Sequence, residues 1–65
     1  MNKIYGRIKW YNSDKKYGYI IGYDEEKYFF KAGALDETLY KKNDLVLFIP
    51  NFATIPYAVA VELAS

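Results

Sequence analysis

Polar and apolar residues alternate with a period of two through most of this chain, and two glycines fall inside the alternating runs. Lys3-Ile4-Tyr5-Gly6-Arg7-Ile8-Lys9-Trp10 sets Ile4, Gly6, Ile8 and Trp10 on one side, the pattern of a strand with one face toward a core. Tyr17-Gly18-Tyr19-Ile20-Ile21 alternates again, with Tyr17 and Tyr19 on one face and Gly18 and Ile20 on the other. In the run from Lys27 to Lys31, Phe29 and Lys31 oppose Tyr28 and Phe30. Turn residues separate the runs: Asn12-Ser13-Asp14 leading into Lys15-Lys16, then Gly22 through Glu26. An antiparallel meander is expected. A glycine inside a strand packs nothing, so Gly6 and Gly18 mark sharp bends or close backbone approach, as at barrel corners.

The second half is less regular. Ala32-Gly33-Ala34-Leu35 admits a single helical turn, and Asp36 to Lys42 reads as a polar surface loop. Leu45-Val46-Leu47-Phe48-Ile49 forms a fourth strand closed off by Pro50. Asn51-Phe52-Ala53-Thr54 is a turn, and Pro56 sits where a fifth strand begins, a position that tolerates a missing donor. That strand places Val59, Val61 and Leu63 together. The expected core holds Ile20, Phe30, Val46, Phe48, Val59 and Val61. An open sheet this small would leave long edges, so five strands without a helix predict a closed all-β barrel spanning residues 1–65 as one domain.

Composition narrows the function. A domain of 65 residues buries only ~60% of the surface its unfolded chain exposes, so its core is modest. Cysteine and histidine are both absent, which removes disulfides, thiolate metal sites and the commonest acid–base and nucleophilic machinery. No carboxylate pair sits on one face, and no glycine loop suits a phosphate. Neither an enzyme nor a cofactor is expected. No apolar run approaches a membrane span and no signal-peptide pattern opens the chain, so a soluble cytoplasmic protein is the default expectation. The formal net charge of +1 says nothing about partners.

Aromatic crowding says more. Eight aromatic residues lie between Trp10 and Phe30, with lysines between and beside them. A core this size cannot bury them all, and wet rings flanked by cations suit the stacking of unpaired bases. Tyr17, Tyr19 and Phe29 share one expected face, with Lys9, Lys15 and Lys31 around them. For any one of these rings, packing alone would explain its presence in a strand. Tyr5, Tyr23 and Tyr57 read as ordinary amphipathic surface residues, and Asp24-Glu25-Glu26 as a solvated turn.

The stretch Gly6-Arg7-Ile8-Lys9-Trp10-Tyr11-Asn12-Ser13-Asp14-Lys15-Lys16-Tyr17-Gly18-Tyr19-Ile20 resembles, without a gap, the cold-shock domain pattern G-x-V-K-W-F-N-x-x-K-G-F-G-F-I. Tyr28-Phe29-Phe30-Lys31-Ala32-Gly33-Ala34-Leu35 is similar to the family's second motif, V-F-[VF]-H-x-S-x-[IL], and Pro56-Tyr57-Ala58-Val59-Ala60-Val61 to its closing P-x-A-V-N-V. The resemblance implies a five-stranded antiparallel Greek-key barrel of the oligonucleotide-binding (OB) fold. It would bind single-stranded RNA or DNA with low sequence preference and act as an RNA chaperone. Trp10, Tyr11, Tyr17, Tyr19 and Phe29 would be the stacking rings, with Lys9 and Lys15 beside them. Strict alternation turns Trp10 toward the core whereas the family exposes it; a bulge near Lys9-Trp10 would reconcile the two.

Departures from the family pattern are specific. Lys16 replaces a glycine, adding a cation and removing backbone freedom. Lys31 replaces a histidine, exchanging a flat ring for a phosphate contact. Ala32 removes a frequent aromatic. The loop from Leu35 to Val46 is shorter than usual, and Tyr40 is the candidate to stand in for that loop's base-contacting ring.

A different class of function remains open on the other wall. With Val46 and Phe48 inward, Leu45, Leu47 and Ile49 face out, and Phe52 and Ile55 lie close in sequence. Either this surface takes a protein partner or a second copy of the chain, or the neighbouring loop folds over it.

Overall fold

A computed structural model describes residues 2–64 of the chain. Five strands, β1 (Ile4–Asn12), β2 (Tyr17–Gly22), β3 (Lys27–Lys31), β4 (Leu45–Asn51) and β5 (Tyr57–Leu63), close into a barrel in the order β1-β2-β3-β5-β4. Pairing of Ile4 through Arg7 with Leu45 through Phe48 joins β4 to β1 and completes the ring. No described residue is helical: Ala34 and Leu35 sit in a single turn, closed by the Asp36 N–H donating to the Gly33 carbonyl at 2.9 Å. A lone helical turn is too short to offset its nucleation cost.

Antiparallel pairing was expected throughout, but the sheet is mixed. β3 and β5 run parallel, with Phe29 opposite Tyr57. Parity requires one such pair, because five strands in a closed ring cannot alternate direction all the way round.

Alternation delivers the core. Tyr28, Phe48, Ile8, Ile20 and Val46 are fully buried, and Phe30, Ala32, Tyr40 and Ala58 complete the cluster. Each large side chain so buried contributes roughly 1.5–3 kcal/mol. The Tyr28 hydroxyl stays satisfied by donating to Asp24 Oδ2 at 2.6 Å, so the acidic β2–β3 turn anchors a core ring as well as meeting water.

Two bulges interrupt the alternation. In β1 the register steps from Ile8 opposite Ile20 to Trp10 opposite Tyr19, so Lys9 is the extra residue. In β5 the register steps from Leu47 opposite Glu62 to Ile49 opposite Val59, and Ala60 takes a left-handed φ of 53°. This second bulge corrects the expected core. Val59 is 40% exposed, Ala58 is buried, and Val61 packs against the cluster from its edge. Strand β4 also runs on through Pro50 to Asn51.

Gly18 makes the β1–β2 crossing possible. A Cβ there would press into the Trp10 carbonyl oxygen and lie 2.9 Å from the Tyr11 Cα. The opposing backbone occupies the space that any side chain would need.

Candidate nucleic-acid interface

The Lys9 bulge sets the site. An extra residue leaves Lys9 and Trp10 both outside, and Trp10 is 41% exposed. From there one register line crosses four strands: Trp10 opposite Tyr19, Tyr19 opposite Phe29, and Phe29 opposite Tyr57. Ring centroids lie 5.6 Å apart for Trp10–Tyr19 and 4.7 Å for Tyr19–Phe29. Tyr17 flanks the row, its centroid 5.4 Å from that of Trp10 with the planes at 71°. Trp10 and Tyr17, and Tyr19 and Phe29, meet edge to face, while Trp10 and Tyr19 are tilted at 39° to one another. Phe29 and Tyr57 are 37% and 40% exposed.

Charge is segregated around this wall. Strands β1, β2 and β3 contain no aspartate or glutamate, while Arg7, Lys9, Lys27 and Lys31 lie on them. The acids occupy turns, loops and β5, so a net charge of +1 conceals a locally cationic face. Lys27 Nζ stands 4.1 Å from the Tyr19 ring centroid, close enough for a cation–π contact. Lys15 is exposed in the β1–β2 turn, where Asn12 Oδ1 accepts from the N–H groups of Asp14 at 2.9 Å and Lys15 at 3.0 Å. Lys31 is exposed at the end of β3, opposite Tyr17.

Three residues with expected roles at the interface sit elsewhere. Tyr11 points in: its ring stacks on Phe30 at 5.6 Å and 13° between planes, and meets Tyr40 edge-on at 5.1 Å. The bulge that turns Trp10 outward turns its neighbour inward, beside the side-chain-free Gly18. Burial, then the nearby Asp36 carboxylate, pushes the Tyr11 pKa up. Tyr40 is buried against Phe30 and Tyr11 and offers no face to a base. Lys16 is half-buried, and its ammonium donates to the carbonyls of Ala34 at 2.9 Å and Asp36 at 2.8 Å. It clasps the 33–36 turn, and its left-handed φ of 58° is the conformation that glycine adopts freely.

Two residues join the wall without having been singled out. Lys27 shares the alternation of Phe29 and Lys31, so period two alone places it there. Tyr57 reaches the row through the parallel β3–β5 pairing, which no local pattern encodes.

On the opposite wall Leu45, Leu47 and Ile49 are half-buried. Arg7 pairs beside Leu45, and Tyr5 and Glu62 flank Leu47. Phe52 is 69% exposed in the β4–β5 loop, with its ring edge-on to Tyr28 at 6.0 Å. Ile49 and Phe52 border a separate groove with Asn2, Pro50 and Asn51. Charged and polar side chains thus interrupt the apolar stripe. Among the described residues no acidic cluster could hold a metal ion, and no helix is long and apolar enough to cross a membrane.

The chain matches no protein-family model and no curated protein.

Proposed function

We propose that this chain binds single-stranded RNA or DNA by stacking bases on the outer wall of a cold-shock-like barrel. Sequence preference is low, and the role is that of a cytoplasmic chaperone holding transcripts unpaired. The observation that carries the reading is the row Trp10–Tyr19–Phe29 with Tyr17 beside it, flanked by lysines and free of acids on β1 to β3. The strand order β4-β1-β2-β3, a meander with the fourth strand returned beside the first, supports a Greek-key barrel of the OB type. OB-folds bind oligonucleotides on the face of their second and third strands, where Tyr19 and Phe29 lie.

Stacking outweighs charge. Each base on an aromatic ring is worth ~1–3 kcal/mol by alanine substitution, so four rings are of the order needed for micromolar affinity. Lys9, Lys15, Lys27 and Lys31 together would give a salt slope of only about −3 on a single strand. Stacking on a π-face does not distinguish ribose from deoxyribose, so the wall itself sets no preference between RNA and DNA. The rival reading, a protein-interaction or dimerisation module, draws its support from Phe52 and Ile49, but Arg7 and Glu62 break up the surface around Leu45 and Leu47.

The test is fluorescence anisotropy of labelled oligothymidine and oligouridine against a duplex of equal length. Tighter binding of both single strands, with a shallow salt slope, is expected. Equal or tighter duplex binding with a steep slope would indicate charge alone and overturn the reading.

A further inference from the structure

Strands β3 and β5 meet at one paired position, Phe29 opposite Tyr57, with the Phe29 N–H donating to the Pro56 carbonyl at 3.1 Å. Beyond it they part. The Ala32 N–H donates to the Lys16 carbonyl at 2.8 Å on the β2 side, while Ala58 and Val59 pair with Pro50 and Ile49 of β4. A groove of about 410 Å³ opens between them, with Phe29 and Lys31 on one wall, Tyr57 and Val59 on the other, and Phe30 and Ala58 as its floor. Tyr17, opposite Lys31 on β2, borders it from the far side of β3. That volume lies within the ~300–1,000 Å³ of ordinary small-ligand sites.

We infer that this groove is a further base site, carrying the bound strand past Phe29 onto β5. One unpaired base lies in it against the Tyr57 ring, and Lys31 meets the adjoining phosphate. The inference rests on the single-strand reading above and goes beyond it, because the expected interface ended at β3. Three points favour a nucleotide as occupant. Aromatic rings line the groove on both walls. It continues the row through the Phe29–Tyr57 pairing without a gap. Its rim charge is the Lys31 ammonium, on a face whose strands β1 to β3 carry no acid, which suits a polyanion.

A ladder of oligothymidines of increasing length, titrated against the wild type, Tyr57→Ala and Tyr57→Phe, tests it. In the wild type, affinity climbs with length until every site is filled. Tyr57→Ala should reach its plateau one nucleotide earlier and bind the longer strands roughly fivefold or more weakly, as loss of one stacked base requires. Tyr57→Phe keeps the ring and should restore the wild-type profile. The quench of Trp10 emission by the shortest strands should be the same in all three. Val59→Glu sets an anion in the groove from an exposed position and should reproduce the Tyr57→Ala profile even if that variant is unstable. Wild-type length dependence in both Tyr57→Ala and Val59→Glu, with Trp10 quenching intact, would overturn the groove while leaving the wall. It would point instead to another occupant, such as an aromatic side chain of a protein. Absence of any binding by the wild type would remove both.

Discussion

Tyr11 lies almost parallel on Phe30, 5.6 Å between centroids with 13° between planes, while Trp10 beside it in sequence stands 41% exposed. The single extra residue, Lys9, decides which of these adjacent rings faces out and which packs in. They should therefore fail in different ways. Tyr11→Ala leaves a void against Phe30 and should cost about 2 kcal/mol or more of stability, lowering the melting midpoint by roughly 10 °C. Trp10→Ala should leave the midpoint nearly unchanged and weaken oligonucleotide binding by ~1–3 kcal/mol. Thermal melts and anisotropy on the two variants check this; equal effects on both properties would contradict it.

Gly18 sits where β1 presses closest on β2. Gly18→Ala would force a methyl group against the Trp10 carbonyl and the Tyr11 Cα, both backbone atoms that cannot rotate away. The strands must separate, at a cost of about 3 kcal/mol or more. In a barrel this small that is a large share of total stability. Urea unfolding followed by far-ultraviolet circular dichroism should show a midpoint near zero denaturant. A midpoint within experimental error of the wild type would refute the close approach.

Lys16 combines an unfavourable φ of 58° with two hydrogen bonds from its ammonium to the 33–36 turn. The two effects can be separated. Lys16→Met keeps the left-handed backbone and loses the clasp, whereas Lys16→Gly loses the clasp and relieves the backbone. The glycine variant should be the more stable of the pair by about 1–2 kcal/mol, and the methionine variant less stable than the wild type. Chemical denaturation of the three proteins decides it.

Much of this arrangement was legible in the alternation of residues. The faces of β2 and β3 follow from period two, and so does the burial of Ile8, Ile20, Tyr28, Phe30, Val46 and Phe48. Bulges were the main source of error, because one residue reverses every facing beyond it. The family likeness points to the bulge at Lys9 and turns Trp10 outward, but it also turns outward Tyr11, which packs on Phe30. Nothing local marks the bulge at Ala60, so alternation points Val59 inward where the structure buries Ala58. Tyr40, in a loop with no periodicity, reaches the core through contacts with Tyr11 and Phe30. Tyr57 joins the wall only because β5 returns beside β3, a long-range pairing that sequence spacing does not encode.

The fold raises the pKa of three tyrosine hydroxyls. Burial first, then the hydrogen bond to Asp24, pushes the Tyr28 pKa far up; burial, then Asp36, raises those of Tyr11 and Tyr40. Each folded-state value lies above the unfolded one near 10, so unfolding is accompanied by proton loss at high pH. Their stabilising contribution is whole below about pH 10 and is lost as pH rises from there toward the folded-state values. Absorbance at 295 nm and circular dichroism, recorded together, should show Tyr28 ionising only as the barrel unfolds. Tyr28→Phe should unfold at higher pH relative to its own neutral stability. Ionisation of Tyr28 with the fold intact would contradict this placement.

Trp10 is the sole tryptophan, and it stands at one end of the aromatic row, so its emission reports on the proposed binding wall without ambiguity. Titrating the protein with oligothymidine and oligouridine at low salt should quench that emission saturably, as a base comes to lie on the indole. Emission that stays unchanged while the oligonucleotides are added to excess would mean that no strand stacks there, and the nucleic-acid reading would fail.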